Sequence, residues 1–383
     1  MQNPLHVVLA IDSFKGSATS LQAETWVSAG IKCVEPNVKI TNLPIADGGE
    51  GTVAALTEAL HGKVLTAHVT GPLGKSVTAQ WGSLPHNAAV IEMAQASGLH
   101  LSPQTPSAAM QASTYGVGEL IRMAIEQGAT TIYVGLGGSA TTDGGIGMAR
   151  ALGYEFYDQD DQPIASGAAG LATLTRIDDT QHLEALDQVS VIMLSDVLNP
   201  LAGDNGAAMI YGGQKGLTVA QRQAVDLGLQ HFGKIVDKYA GQMIQHFPGA
   251  GAAGGLGAGL LAFTHAQNRS GIDTILQLAR LNETLANADL VITGEGHLDA
   301  QSLNGKAPIG IAHAAKKYGL PVIAIVGAHS DDLEAVYQQG IDAVLAIGHG
   351  PQSLVEAVAN VKSNLMATGA TVMRMLLLGR SLR

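Results

Sequence analysis

Apolar and polar positions along the chain change rhythm twice. His6 to Ile11 is an apolar, β-branched run, the pattern of a strand buried on both faces of a parallel sheet, and it ends at Asp12-Ser-Phe-Lys-Gly-Ser17. Helical spacing follows over Leu21 to Cys33, opened by a capping box with Thr19 as N-cap and Gln22 three residues on. Val38 to Leu43 predicts a second strand, which runs into Pro44-Ile-Ala-Asp-Gly-Gly-Glu-Gly-Thr52 and then a helix that stops near Gly62. Both glycine-bearing loops therefore fall at the carboxyl ends of strands.

From about Thr66 the pattern alternates instead. Val77, Ala79 and Trp81 interleave with polar residues as in a half-buried antiparallel strand, with Ala88 to Met93 as its expected partner. A helix over Tyr115 to Gln127, a strand over Thr130 to Val134 and the loop Gly135-Leu-Gly-Gly-Ser-Ala-Thr-Thr-Asp-Gly-Gly145 come next. A strand at Val189 to Leu194 ends at Ser195-Asp-Val-Leu-Asn-Pro200, and a long amphipathic helix covers Val219 to Tyr239. Pro248 to Gly259 is almost entirely Gly and Ala, which suits either close helix packing or contact with a ligand.

After about Leu285 the first rhythm returns, with strands at Asp289 to Thr293, Pro321 to Gly327 and Asp342 to Ile347 alternating with helices. Gly294 to Lys306 reads as a strand-to-helix loop carrying Glu295, Asp299 and Lys306. The pattern predicts an α/β protein: a doubly wound parallel-sheet domain built from residues 1–67 and 286–383, interrupted by an inserted mixed α/β domain over 68–285, with the active site in the cleft.

Composition narrows the partners. A chain of 383 residues exceeds what one core usually organises, which agrees with two domains. The net charge of −11 with scattered basic residues argues against nucleic acid or an anionic membrane and leaves room for a small anionic ligand. Cys33 stands alone, so neither a disulfide framework nor a cysteine zinc site is expected, and the cytoplasm is the expected compartment. Nothing in the sequence decides between a monomer and a homodimer.

Three classes of chemistry compete. Gly135-Leu-Gly137-Gly-Ser-Ala140 matches a dinucleotide fingerprint with alanine third and Glu155 downstream, the best case for an NAD-binding oxidoreductase. A non-catalytic two-domain binder of organic acids is the second. The third is phosphoryl transfer, because Asp12, Asp47, Asp143, Asp196 and Asp299 each sit at or just after a strand end beside Gly, Ser or Asn. Such a transfer needs one carboxylate to hold Mg²⁺ among phosphates, another to take the proton of the attacking hydroxyl, and N–H and ammonium donors for the moving charge. Lys15, Lys215 and Lys306 supply ammoniums. Plainer roles stand beside these: helix capping for Asp12 and Asp143, dipole complementation for Glu50, and an Asx turn for Asp196 with Asn199.

Taken together, Asp12-Ser-Phe-Lys-Gly-Ser17, Asp47-Gly-Gly-Glu-Gly-Thr52, Gly137-Gly-Ser-Ala-Thr-Thr-Asp-Gly-Gly145, Asp196-Val-Leu-Asn-Pro-Leu201, Gln214-Lys-Gly216 and Gly294-Glu-Gly-His-Leu-Asp-Ala-Gln-Ser302 resemble the type I glycerate kinase family across essentially the whole chain. The resemblance implies a flavodoxin- or Rossmann-like domain with an inserted domain, and an ATP- and Mg²⁺-dependent kinase of D-glycerate. Bacterial members are taken to yield 2-phosphoglycerate, with 3-phosphoglycerate the alternative. On this reading Asp47 takes the hydroxyl proton, and Asp196 or Asp299 holds Mg²⁺. The amides of Gly48, Gly49, Gly137 and Gly138, with Ser139, Lys15 and Lys306, cradle phosphates and the substrate carboxylate. Asp12, Ser13, Glu50, Thr141, Asn199, Glu295 and Ser302 complete the expected binding set. The chain departs from the family pattern at His297, often Arg, and at Thr142, Ala46 and Gly213. An arginine at 297 would clamp an anion bidentately, as a histidine cannot.

Overall fold

The computed structural model describes residues 4–299, 307–350 and 352–381. In chain order the strands are His6–Ile11 (β1), Lys39–Asn42 (β2), Lys63–Thr70 (β3), Ser76–Leu84 (β4), Ala88–Glu92 (β5), Thr131–Gly135 (β6), Glu155–Tyr157 (β7), Arg176–Asp178 (β8), Ser190–Leu194 (β9), Gln267–Arg269 (β10), Leu290–Leu298 (β11), Val322–His329 (β12) and Ala343–Ala346 (β13). The chain divides into two compact units. One comprises Met1–Asp47, Ala54–Leu60 and Ile272–Arg383; the other comprises Gly48–Val53 and His61–Gly271.

The first unit is built on a five-stranded sheet in the order β13-β12-β11-β1-β2, and every pairing is parallel. Counted within the unit, the order is 2-1-3-4-5, which reverses direction between β1 and β11. Alternate residues of β1 enter opposite cores, as a strand buried on both faces requires. Val8 and Ala10 join Ile309, Ile311 and Ala312 of the Ala307–Lys316 helix, while Val7, Leu9 and Ile11 join Ala23, Val27 and Ile31 of the Ser20–Val34 helix. Thr19 caps that helix through the expected box with Gln22. The Val361–Ser381 helix lies against it backbone to backbone: a Cβ on Gly30 would stand 1.9 Å from the Met366 carbonyl oxygen, and one on Gly369 would stand 2.5 Å from that of Val27.

Two expectations change here. β11 does not stop at Thr293 but continues to Leu298, with Glu295 opposite Val326 and His297 opposite Ala328. The glycines that read as a loop are strand glycines that allow close pairing, since a Cβ on Gly294 would lie 1.9 Å from the Ile325 carbonyl oxygen. The boundaries also move. β3 pairs with β4 from Lys63 onward, so it belongs to the second unit. Ile272, Leu276, Leu281 and Leu285 are buried in the first unit's core, which resumes the chain before residue 286.

The second unit carries a six-stranded sheet, β10-β9-β6-β5-β4-β3. β10, β9, β6 and β5 run parallel, and β4 and β3 form the antiparallel edge. The Tyr115–Glu126, Val219–Ala240 and Ala252–Phe263 helices supply Val117, Leu120, Leu229, Phe232, Leu256 and Leu260 to one large core. The Gly/Ala segment is close packing. Gly254 has φ +71°, and a Cβ there would stand 1.9 Å from the Thr141 carbonyl oxygen.

Candidate active site

In the first unit, β1 and β11 end side by side where the strand order reverses, the position at which open parallel sheets bind ligands. Ile11 is opposite Gly294, and the Asp12 N–H donates to the Gly294 carbonyl at 2.9 Å. Asp12 and Glu295 are both buried. Asp12 Oδ1 accepts the Ser13 N–H at 2.6 Å. Burial pushes the Asp12 carboxyl up to about 8, with the charges of Asp47 and Glu295 adding to the rise and the Ser13 amide and Lys15 ammonium opposing it. The charges of Asp47, Glu295 and Lys15 thus all reach the Asp12 carboxyl. The buried hydroxyls of Ser13 and Thr293 have no hydrogen-bond partner among the described residues. His297 shares the strand with Glu295 but is exposed, with Nε2 4.0 Å from Asp299 Oδ2. Ser302 and Lys306 lie outside the described residues.

In the second unit, the loop from Leu136 to Gly145 is built around two buried charges. Lys215 is 2% exposed; its Nζ donates to Ser139 Oγ at 2.8 Å and to the Thr141 carbonyl at 2.6 Å. Burial pulls its ammonium down to about 7, opposed by the charge of Asp143. Asp143 accepts the Thr114 N–H at 2.8 Å and hydroxyl at 2.9 Å, the Gly145 N–H at 3.1 Å and the Gly147 N–H at 3.2 Å. It therefore braces the entry to the Ile146–Ala151 helix. The hydroxyls of Thr141 and Thr142, both fully buried, have no hydrogen-bond partner among the described residues.

Gly137 approaches Gly49 so closely that a Cβ on it would stand 2.5 Å from the Gly49 Cα. Its N–H is directed at the Gly48 carbonyl at 3.4 Å, so this amide of the expected cradle is turned to the chain itself. Gly138 is exposed, while Ser139 is buried against Lys215. Asp196 Oδ1 accepts the Gly271 N–H at 3.2 Å. Asn199 is engaged at both ends of its amide, donating to the Asn205 carbonyl at 2.7 Å and accepting the Tyr211 hydroxyl at 2.8 Å, so it holds its own loop. Glu50 is exposed, and its charge helps raise Glu92.

The dinucleotide fingerprint does not survive the local geometry. β6 ends at Gly135 and the next helix begins at Ile146, so ten residues separate strand from helix and no helix opens at Ala140. Several structural groups were missed in the sequence. Glu92 accepts the Val53 N–H at 2.7 Å at the start of the Thr52–Ala59 helix, and burial pushes its carboxyl up to about 7. Thr114 and Glu24 are the others. Glu24 had a readable signal, since it interrupts the apolar stripe of Ala23, Val27 and Ile31 with a charge.

The model of the glycerate kinase family matches residues 7–377. A glycerate kinase of Halalkalibacterium halodurans is 46% identical over 92% of this chain and 93% of its own length. The Escherichia coli protein named glycerate 2-kinase is 42% identical over 98% of this chain and 99% of its own length. A crystal structure from Salmonella typhimurium LT2, assigned as glycerate kinase 2, superposes with a TM-score of 0.86 at 39% identity, covering 99% of this chain and all of that one. This chain is a kinase and belongs to the glycerate kinase family.

Proposed function

We propose that the protein transfers the γ-phosphoryl group of ATP to the 2-hydroxyl of D-glycerate, giving 2-phosphoglycerate and ADP. The observation that carries this reading is the buried Asp12 carboxyl at the end of β1, where the strand order reverses, with Glu295 buried on the neighbouring strand and the charges of Asp47 and Glu295 both felt by Asp12. A carboxylate so placed can accept the proton of a hydroxyl, which phosphoryl transfer to a hydroxyl needs. Asp47, the least buried of the three, takes the proton of the attacking hydroxyl. Gly138, Ser139 and the buried Lys215 beneath them present positive potential to phosphate oxygens, with Lys15 and Lys306 as further ammoniums. The name of the Escherichia coli relative supports 2-phosphorylation.

Among the described residues no three His, Cys, Asp or Glu side chains converge as a ready metal site. Mg²⁺ usually takes one or two carboxylates together with phosphate oxygens and water, and the carboxylates present fit that mode. Asp196 or Asp299 would hold it, and the ion would neutralise charge on the phosphates. A coupled ADP-release assay with D-glycerate tests the reaction, and phosphorus NMR of the product tests the position. No ADP release refutes the transfer, and 3-phosphoglycerate refutes the regiochemistry. Asp47→Asn should lower kcat by about two to four orders of magnitude, as loss of a general base does; a near-normal rate removes Asp47 from the chemistry.

A further inference from the structure

The Ser20–Val34 helix presents two polar side chains to the tips of β1 and β2. β2 leaves the ladder at Leu43, whose N–H donates to the Leu9 carbonyl at 2.8 Å. The next groups of β1 on that side, the N–H and C=O of Ile11, are taken over by side chains. The Ile11 N–H donates to Glu24 Oε1 at 3.2 Å. Ser20 Oγ donates to the Ile11 carbonyl at 2.6 Å and accepts the Ile45 N–H at 3.0 Å. Asp12 is the residue after Ile11, and Asp47 is two residues after Ile45.

Glu24 is fully buried, and its Oε2 has no hydrogen-bond partner among the described residues. Burial pushes its carboxyl well above the usual range, offset in part by the Ile11 and Leu43 amides. The helix that carries it is fixed from behind by the contacts of Gly30 and Gly369. A carboxyl on an apolar helix face, needed for one acceptor oxygen, has no better use here than to hold these strand ends.

We propose that Glu24, acting with Ser20, is a positioning residue for phosphoryl transfer: it joins the diverging ends of β1 and β2 and so sets the placement of Asp12 and Asp47. This rests on the roles given above to those two aspartates. Oε1 needs to be an acceptor but not an anion, so an amide should serve in its place.

Steady-state kinetics of the full chain with D-glycerate and ATP test it. Glu24→Ala is expected to lower kcat by about tenfold or more while KM for either substrate changes less than about threefold, the pattern of lost transition-state alignment. Glu24→Gln should keep kcat within about threefold and leave the pH–rate profile in place. A Glu24→Ala kcat within about twofold of wild type overturns the proposal, as does a Glu24→Gln enzyme as impaired as Glu24→Ala. Should Glu24→Ala fail to fold, Ser20→Ala carries the test, and an unchanged kcat there overturns it. Asp47→Asn, measured alongside, separates the two readings. A near-normal rate refutes the underlying roles. With Asp47→Asn impaired, adding Glu24→Ala should cost little further, whereas fully multiplicative losses overturn the positioning role.

Discussion

Removing one carboxylate from the candidate site should stabilise the protein, and increasingly so as the pH rises. Asp12 is buried, and its carboxyl stands at about 8 instead of 3.8. Between those values the folded protein keeps a proton that the unfolded chain releases. For a raised carboxyl, the stability contribution is therefore fully present below the unfolded value of 3.8 and is lost as the pH climbs toward about 8. The slope is about 1.4 kcal/mol per pH unit, so about 2.7 kcal/mol disappears between about pH 5.5 and 7.5. The charges of Asp47 and Glu295 add to the rise of Asp12 after burial, so the slope is assigned to Asp12 in the presence of those charges. Asp12→Asn keeps the shape and removes the titration. Urea unfolding of both proteins at the two pH values measures the difference. The variant should gain about 2–3 kcal/mol on wild type over that interval while losing activity. Parallel curves, with a gap that does not change with pH, would refute the reasoning.

Lys215→Met should leave the fold standing, because a buried ammonium is exchanged for an apolar chain of similar length, but the loop at Ser139 and Thr141 loses its two donor contacts. We expect kcat/KM for ATP to fall by about ten- to a hundredfold, and a normal value would show that the lysine only fills space. Gly137→Ala forces a Cβ to 2.5 Å from the Gly49 Cα, so the two loops must separate. A loss of about tenfold or more in kcat with a melting temperature lowered by only a few degrees is expected, and unchanged kinetics would mean the loops part without consequence. Thr114→Val removes the hydroxyl that donates to Asp143 and accepts the Met148 N–H at 2.9 Å. Urea unfolding should show a loss of about 1–3 kcal/mol, the penalty for leaving buried polar groups unmatched, and no loss would remove Thr114 from the brace.

The strand ends were legible because burial on both faces of a parallel sheet leaves continuous apolar runs, as in His6 to Ile11. Asp12 and Asp47 then stood out as charges placed where those runs stop. The extension of β11 through Glu295 was not legible, since Gly294 and Gly296 look like turn residues until β12 is seen to approach them closely. Asp143 showed the same ambiguity. Its neighbours suit a phosphate loop as well as a helix entry, and only the four donors around it decide for the second. The sequence offers Lys215 as one of three ammoniums for the moving charge, but nothing in Gln214-Lys-Gly216 announces that it is buried. Asn199 was placed among binding residues, yet Tyr211 and Asn205, several positions later, are what hold it.

The pairing of Val7 with Leu290 means that β1 waits for a partner some 280 residues further along the chain. His61–Gly271, by contrast, holds nearly all of its unit in one continuous stretch. The middle of the chain can therefore collapse and pack while the ends are still incomplete, and the sheet bearing Asp12 cannot close until β11 emerges. During synthesis and refolding, His6 to Ile11 is an apolar strand with β2 on one edge and the other edge bare until β11 arrives, the kind of exposed edge on which chains aggregate. The late closure of this sheet makes the interval before β11 arrives the time at which the chain is most open to aggregation.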